Sequence, residues 1–332
     1  MYVLESVFVL PRVLVAQSMG RGFVLTDAEL WKGLEKPDIR EGVLNFCSKD
    51  IKMVPDDGTI TEALNVMAEE GMRMLPIVHK FTREVVGVVS ERRVLKHLTL
   101  ESTYLQYDEY DVLPSSSKGA IMSAMSAYAI DVSENESIIA SEYLTFSSAL
   151  NLIVQKQIGY LPIVDAKLRP VCVLAEDDLT AQAVQNEAFD FTLRDFISMP
   201  VATIKDTSRV SDVCRKIIEK GYRRIPVVDE QEKIRGVVTV RSLLKLFNMP
   251  ESKSKFSTGR QDDVLNTPIV DIMSEKIVST QVSTTVVDAE KMMRKEGVDA
   301  LFIKDETGRL ESIFTMWDVL RAYSGFLGTR PG

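Results

Sequence analysis

The chain has 332 residues, of which 45% are hydrophobic and 27% are charged, as is typical of folded globular domains. This length predicts two or three domains, each with its own hydrophobic core. The 40 basic and 48 acidic residues give a net charge of −8, which argues against a general electrostatic affinity for nucleic acid or for an anionic membrane.

Residues 1–36 are predicted to form a strand-rich extension. The apolar run that begins at Met1 is interrupted by Glu5, Pro11 and Arg12, before it reaches the roughly 18 residues that a membrane helix requires. No small-residue cleavage site follows this run. These features predict a cytoplasmic protein that does not associate with membranes.

The cysteines and histidines give no sign of catalysis or of metal binding. Cys47, Cys172 and Cys214 lie far apart and form no C-x-x-C pair, so we expect small buried residues rather than a disulfide framework or a zinc site. His79 and His97 have no accompanying nucleophile motif. The sequence therefore predicts no catalytic residue, no metal site and no cofactor.

One pattern recurs four times along the chain, and each copy reads as a strand, an amphipathic helix, a β-hairpin and a second helix. In the third copy the first helix has apolar residues at i, i+3, i+4, i+7 and i+8, which is the pattern of one buried face. These residues are Val210, Val213, Cys214, Ile217 and Ile218. Two short strands rich in β-branched residues follow and predict a hairpin.

The four copies are predicted at residues 37–100, 119–185, 190–249 and 264–325. Equivalent positions on the first hairpin strand are occupied by Pro76, Pro162, Pro226 and Phe302. Insertions separate the copies. One covers residues 101–118, and another, at residues 250–267, has a middle rich in lysine and serine and is interpreted as a linker.

This βαββα pattern resembles the CBS domain, a module named after cystathionine β-synthase, and the resemblance covers residues 37–323. It implies an α+β fold in which four repeats pair through their sheets into two Bateman modules. It also implies a disk-like arrangement of these modules, either within one chain or in a dimer of chains. Similar arrangements occur in the γ subunit of AMP-activated protein kinase and in archaeal stand-alone proteins.

The ligand signature of that family is an apolar strand that ends in Thr or Ser, followed by two residues and an Asp that opens the second helix. The carboxylate is suited to accept hydrogen bonds from both ribose hydroxyls, and the helix N-terminus faces phosphate. Thr315 and Asp318 match this signature fully in the fourth repeat. The other repeats match in part: Asp178 lacks the hydroxyl, Thr239 is followed by Ser242, and Ser90 is followed by Arg93.

The resemblance further implies that each Asp is completed by strands of the paired repeat. The partners of Asp318 are then Ala202, Thr203, Tyr222, Arg223 and Arg224. The partners of Asp178 are Lys52, Met72, Arg73 and Met74. The arginines at 223 and 224 would contact phosphate. Outside this context, the Asp residues are helix caps and the arginines are a solvated pair. Trp317 lies inside the signature and is suited to stack on a base, but packing is the favoured interpretation for so large an aromatic side chain.

The predicted function is that of a non-catalytic regulatory or energy-sensing protein, which binds AMP, ADP or ATP between paired repeats. A protein partner regulated by nucleotide and a homodimer are also expected. One alternative is another adenosyl ligand, such as S-adenosylmethionine, or nucleic acid. A slow nucleotide hydrolase is less favoured because no nucleophile, base or glycine-rich phosphate loop is found.

Overall fold

The computed structural model describes residues 17–18, 21–22, 42–100, 120–134, 137–183, 191–196, 201–305 and 307–328. From the strand-rich extension predicted at residues 1–36, it includes β1 (Gln17–Ser18) and β2 (Arg21–Gly22), which pair antiparallel. The rest of that extension and the insertion at residues 101–118 lie outside the described residues.

The predicted order of strand, helix, hairpin and helix occurs four times. Repeat 1 contains β3 (Val54–Pro55), α1 (Ile60–Glu70), β4 (Met74–Val78), β5 (Val85–Ser90) and α2 (Glu91–Leu100). After α3 (Ala120–Met125), repeat 2 contains β6 (Ala140–Ser141), α4 (Phe146–Lys156), β7 (Tyr160–Val164), β8 (Pro170–Ala175) and α5 (Glu176–Ala183). Repeat 3 contains β9 (Ile204–Lys205), α6 (Val210–Lys220), β10 (Arg224–Val228), β11 (Ile234–Thr239) and α7 (Val240–Asn248). After α8 (Pro250–Ser257) and α9 (Gln261–Leu265), repeat 4 contains β12 (Ser279–Thr280), α10 (Val286–Glu296), β13 (Ala300–Lys304), β14 (Leu310–Thr315) and α11 (Met316–Gly328).

Local sequence determines where the first helix of a repeat begins and ends. At the start of α1, the hydroxyl of Thr59 accepts from the backbone N–H of Glu62, whose carboxylate accepts from the backbone N–H of Thr59. This capping box satisfies two N–H groups that have no partner within the helix. The helix ends at Gly71, whose φ of 66° favours glycine. On α6, the predicted apolar face is buried, apart from the half-buried Ile218.

Each repeat has a three-stranded sheet, in which the first strand pairs parallel and the third antiparallel to the middle strand. The four anchor residues occupy the same register position of the hairpin. Pro76 lies opposite Val88, Pro162 opposite Val173, Pro226 opposite Val237, and Phe302 opposite Ile313. The equivalence of these four positions, including Phe302, is confirmed.

The four repeats contact one another in a closed ring. The sheets of repeats 1 and 2 share an apolar cluster that includes Val85 and Ile139, and repeats 3 and 4 are joined by bridges such as Lys233 to Arg309. Helices α1 and α2 pack against α7, whereas α11 packs against α4 and α5. One core therefore joins repeats 1 and 3, and a second joins repeats 2 and 4. This arrangement agrees with two paired modules in a disk.

The interpretation of residues 250–267 as a linker is wrong, because this segment forms α8 and α9. Phe256 is fully buried and its ring meets that of Phe247 edge-on, with centroids 5.8 Å apart. Val264 and Leu265 belong to the same core, which joins repeats 1 and 3. The segment was interpreted as a linker because its middle is rich in lysine and serine. Its few apolar residues nevertheless pack into the core and anchor the two short helices.

The cysteine prediction also needs correction. Cys47 and Cys172 form a disulfide across 125 residues of sequence, with their Cα atoms 5.8 Å apart. The backbone N–H groups of Ser48 and Val173 donate to each other's carbonyls at 3.0 Å, which places the two segments side by side. Cys214 is buried and free, as expected. Sequence spacing did not indicate the pair because the fold alone brings the two residues together.

Candidate functional site

The signature residues lie where the last strand of a repeat enters its second helix. In repeat 4, the backbone N–H and the hydroxyl of Thr315 donate to Oδ2 of Asp318, at 2.9 and 2.8 Å. In repeat 2, the backbone N–H of Ala175 donates to Oδ2 of Asp178 at 2.8 Å. One oxygen of each carboxylate therefore caps its helix. The other oxygen of Asp318, Oδ1, faces Arg321 at 3.5 Å.

The other two repeats cap their second helices without a carboxylate inside the signature. In repeat 3, the backbone N–H of Ser242 donates to the hydroxyl of Thr239 at 3.1 Å, and the backbone N–H of Thr239 donates to the hydroxyl of Ser242 at 3.0 Å. In repeat 1, the backbone N–H of Arg93 donates to the hydroxyl of Ser90 at 3.2 Å. The four signatures thus share one local geometry and differ in charge.

Burial makes the two signature carboxylates less acidic. It raises the pKa of Asp318, although the two hydrogen bonds from Thr315 oppose the shift. Burial likewise raises the pKa of Asp178 against the hydrogen bond from Ala175. A carboxylate whose ionised form is disfavoured gains more from a new hydrogen-bond donor than one in water does. Both groups are therefore suited to accept hydrogen bonds from a ligand.

A cavity of about 280 Å³, called here the Thr315 cavity, lies between repeats 3 and 4. Its lining brings together residues that the sequence analysis grouped, namely Thr315, Ala202, Tyr222, Arg223 and Arg224. Trp317 also lines it, and the Arg223 guanidinium lies 5.9 Å from the centre of its ring.

Two predicted members of this site lie outside the cavity lining. The carbonyl oxygen of Thr203 accepts a hydrogen bond from Lys216 at 2.5 Å. Asp318 is 8% exposed and lies one helical turn beyond Thr315, at the start of α11. Trp317 both lines the cavity and packs against the core of repeats 2 and 4, so packing does not exclude contact with a ligand.

A second cavity, called the Thr239 cavity, also lies between repeats 3 and 4 and measures about 440 Å³. Its charged lining is mostly basic and includes Arg241, Lys276 and Arg294 as well as the acidic Asp177. Thr239 lies in this lining, but Ser242 does not. The charge of the lining favours an anionic occupant.

None of the three cavities described here is lined by all the residues grouped with Asp178. Lys52 forms ion pairs with Asp50 and Glu70, both at 3.3 Å. Met72 packs against the core of repeats 1 and 3. The two other members, Arg73 and Met74, line a third cavity, which lies between repeats 1 and 2 beside Ser90. The assignment of this group to the Asp178 cleft stays a prediction.

An ion cluster at the centre of the ring joins all four repeats. Arg73 of repeat 1 donates to Glu176 of repeat 2 and to Asp299 of repeat 4, both at 2.8 Å. From repeat 3, Arg223 donates to Glu176, and Arg224 donates to both carboxylate oxygens of Asp299, at 2.6 and 2.8 Å. The arginines predicted to meet phosphate are therefore held in place by carboxylates of the same chain.

Burial and the neighbouring charges act in opposite directions on the pKa values of the central groups. Burial alone would raise the pKa of Asp299, but the charges of Arg224 and Arg73 outweigh it and hold this pKa below its usual value. Burial lowers the pKa of Arg224 in spite of the nearby Asp299. A phosphate that enters either neighbouring cavity would thus compete with carboxylates for arginines that are already positioned.

The sequence analysis missed Glu176 and Asp299, although one signal was present. Three residues before the anchor position, the four repeats have Arg73, Gly159, Arg223 and Asp299, so charges of opposite sign occupy equivalent positions. A Cβ atom at Gly159 would lie 2.7 Å from Oε1 of Glu176, so a larger residue at this position would displace that carboxylate. Equivalent positions of a ring of repeats converge at its centre, which places these charges together.

The two histidines make local contacts. Nδ1 of His79 accepts from the backbone N–H of Thr82 at 3.2 Å, and Nε2 of His97 lies 3.1 Å from the carbonyl oxygen of Ala124. Across the described ranges, no group of three or more His, Cys, Asp or Glu side chains could hold a metal ion. Within the same ranges, every helix is too short or too polar to cross a membrane.

Known proteins show the same repeat. The family model for the CBS domain matches residues 43–100, 193–248 and 269–325, which is more than half of the chain. Uncharacterized protein MJ1225 of Methanocaldococcus jannaschii is 23% identical over 277 residues, which cover 83% of this chain and 96% of that protein. Its crystal structure, presented as that of a proposed archaeal homologue of γ-AMPK, superposes with a TM-score of 0.75 and covers 85% of this chain and 100% of that one.

A eukaryotic relative matches a shorter segment. The γ subunit of 5′-AMP-activated protein kinase from Saccharomyces cerevisiae is 28% identical over 130 residues, which cover 38% of this chain and 39% of that protein. The family model leaves residues 101–192 unmatched, yet repeat 2 has the same element order as the others. With these matches and this fold, the chain belongs to the CBS domain family.

Proposed function

We propose that this protein is a non-catalytic regulatory protein that binds adenosine nucleotides, namely AMP, ADP or ATP, in the cavities between paired repeats. The Thr315 cavity is the observation that carries this proposal. It combines the aromatic side chains of Tyr222 and Trp317, suited to a base, with the guanidinium groups of Arg223 and Arg224, suited to phosphate. Asp318 lies in the first turn of the adjoining helix, α11, where a carboxylate is needed to accept hydrogen bonds from the ribose hydroxyls.

Two further observations support a regulatory role. One relative of this chain is the γ subunit of 5′-AMP-activated protein kinase, and the crystal structure of another, the archaeal MJ1225, is presented as that of a proposed homologue of this subunit. The central ion cluster also links both modules to the residues that line the cavities, so a bound nucleotide could alter contacts between repeats. A regulated protein partner, a homodimer and a cytoplasmic location stay part of this proposal.

The first test removes the phosphate contact at the Thr315 cavity. Arg223→Ala is expected to weaken AMP binding about 10- to 150-fold, because a hydrogen bond to a charged group contributes roughly 1.5–3 kcal/mol. Adenosine, which lacks the phosphate, should bind almost as before. Titration calorimetry with both ligands measures the difference. Arg235→Ala is the matched control, because Arg235 is exposed on β11 of the same repeat.

Equal losses of AMP and adenosine affinity in Arg223→Ala would show that this arginine supports the fold through Glu176 and does not contact phosphate. Release of inorganic phosphate from ATP, followed in the same samples, tests the slow hydrolase directly. Sustained turnover by the wild-type protein would replace the non-catalytic proposal.

The second test concerns the ribose. If Asp318 accepts hydrogen bonds from both sugar hydroxyls, 2′-deoxy-AMP is expected to bind about tenfold or more weakly than AMP. Asp318→Ala should remove this preference at the Thr315 cavity, where the protection of residues 313–318 from hydrogen exchange reports binding of each ligand. Asp212→Ala is the matched control, because the Asp212 carboxylate caps α6 through the backbone N–H of Arg209 at 2.8 Å, outside the cavity linings described above. A ribose preference that survives at this cavity in Asp318→Ala would assign Asp318 to capping alone.

A further inference from the structure

The cavity beside Ser90 lacks an Asp in its signature, yet it is built like the Thr315 cavity. It measures about 320 Å³, within the range of small-molecule sites, and lies between repeats 1 and 2. Ser90 ends β5 on one side, as Thr315 ends β14. Gly159 and Tyr160 lie on the other side at the start of β7, as Arg223 and Arg224 lie at the start of β10.

Arg93 occupies the position in repeat 1 that Asp318 occupies in repeat 4, and its guanidinium is engaged in contacts within the protein. Its Nε donates to the carbonyl oxygens of Val132 and Ser133, both at 3.3 Å. A guanidinium has donors only, so it could not accept hydrogen bonds from ribose hydroxyls in any case. By its sequence alone, this cleft would be judged unable to bind a ribonucleoside.

Glu134, the residue that follows those two carbonyls, supplies the missing carboxylate. Its backbone N–H donates to the carbonyl of Val88 at 2.8 Å, which attaches this segment to β5. Its Oε1 accepts from the hydroxyl of Ser90. This is the contact that Oδ2 of Asp318 makes with the hydroxyl of Thr315 at 2.8 Å. The hydroxyl and carboxylate of the signature are therefore restored in space by a residue from outside the repeat.

The second carboxylate oxygen of Glu134 remains available to a ligand. Among the described residues, Oε2 has no hydrogen-bond partner, and Glu134 lines the cavity. The same cavity has apolar side chains from Ile138 and Ile158, and its lining includes basic groups such as Lys156 and Arg223. A carboxylate, an apolar surface and cations are the three features that a ribonucleotide requires of a site.

We propose that the Ser90 cavity is a further ribonucleotide site, in which Glu134 replaces the signature Asp and accepts hydrogen bonds from the vicinal ribose hydroxyls. This inference rests on the proposed function and adds a site that the signature of repeat 1 does not predict. It also explains why Arg93 is tolerated, because its contacts with two carbonyls hold the segment that presents Glu134.

Hydrogen–deuterium exchange with AMP as the probe separates this site from the Thr315 cavity. In the wild-type protein, AMP is expected to protect residues 158–160, which line the Ser90 cavity and not the Thr315 cavity, as well as residues 313–318. Glu134→Gln preserves the size of the side chain and an acceptor for Ser90 but removes the charge. It should raise the AMP concentration needed to protect residues 158–160 about tenfold, and leave the concentration needed at residues 313–318 unchanged.

Glu134→Asp serves as a second variant, because it keeps the charge and should retain part of the protection if the carboxylate binds ligand. Protection at residues 313–318 without any at residues 158–160 would overturn this inference and leave the proposed function intact. Protection at residues 158–160 that is unchanged in Glu134→Gln would show that Glu134 only fixes the loop to Ser90. Absence of protection at both places would reject the proposed function together with this site.

Discussion

Replacing Glu176 by alanine is expected to lower the free energy of unfolding by about 3–5 kcal/mol, the cost of removing one partner of a buried ion pair. The Glu176 side chain is 3% exposed and is the carboxylate that holds both Arg73 and Arg223. Its loss leaves Arg223 without its carboxylate partner and Arg73 with Asp299 alone. Chemical denaturation measures the effect.

Asp57→Ala is the matched control for this prediction. Asp57 pairs with Lys80 at 2.8 Å, but both side chains are about half exposed, so the loss should be at most about 1 kcal/mol. A Glu176→Ala loss no larger than that of the control would show that the central ion cluster does not hold the ring together.

Reduction of the disulfide between Cys47 and Cys172 is expected to lower the free energy of unfolding by about 2–4 kcal/mol. The bond spans 125 residues of sequence and ties the segment that precedes β3 of repeat 1 to β8 of repeat 2. Its loss increases the conformational freedom of the unfolded chain. Denaturation with and without a thiol-free reductant measures the effect.

Two cysteine variants test whether this bond is responsible for the response. Cys47→Ser should be as stable without reductant as the wild-type protein is with it, and should no longer respond to reductant. Cys214→Ser should keep the response, because Cys214 is buried and free. If the wild-type protein were equally stable with and without reductant, the disulfide would have no role in stability.

Local patterns were sufficient to predict the repeats. The buried face of α6 was evident from its apolar spacing, and the anchor residues fell at one register position because each hairpin is determined by a short stretch of sequence. Phe302 was aligned correctly in spite of its different side chain, since its neighbours preserve the pattern.

The contacts that were missed depend on how the repeats assemble. Glu176 and Asp299 meet Arg73 only because the ring closes, and these three residues are spread over 226 positions of sequence. Glu134 lies outside the signature and reaches Ser90 across 44 residues. Local sequence patterns carry no information on contacts between residues so far apart in sequence. The part of the site that lies within one repeat could therefore be predicted, whereas the contacts between repeats could not.

Native mass spectrometry of the intact protein with AMP tests the central claim most directly, because it counts the occupied clefts. The account predicts discrete, saturable adducts of AMP, weaker adducts of adenosine, and a stabilisation of about 2.7 kcal/mol when AMP is present at 100 times its dissociation constant. The absence of any AMP, ADP or ATP adduct, with no change in stability, would contradict it.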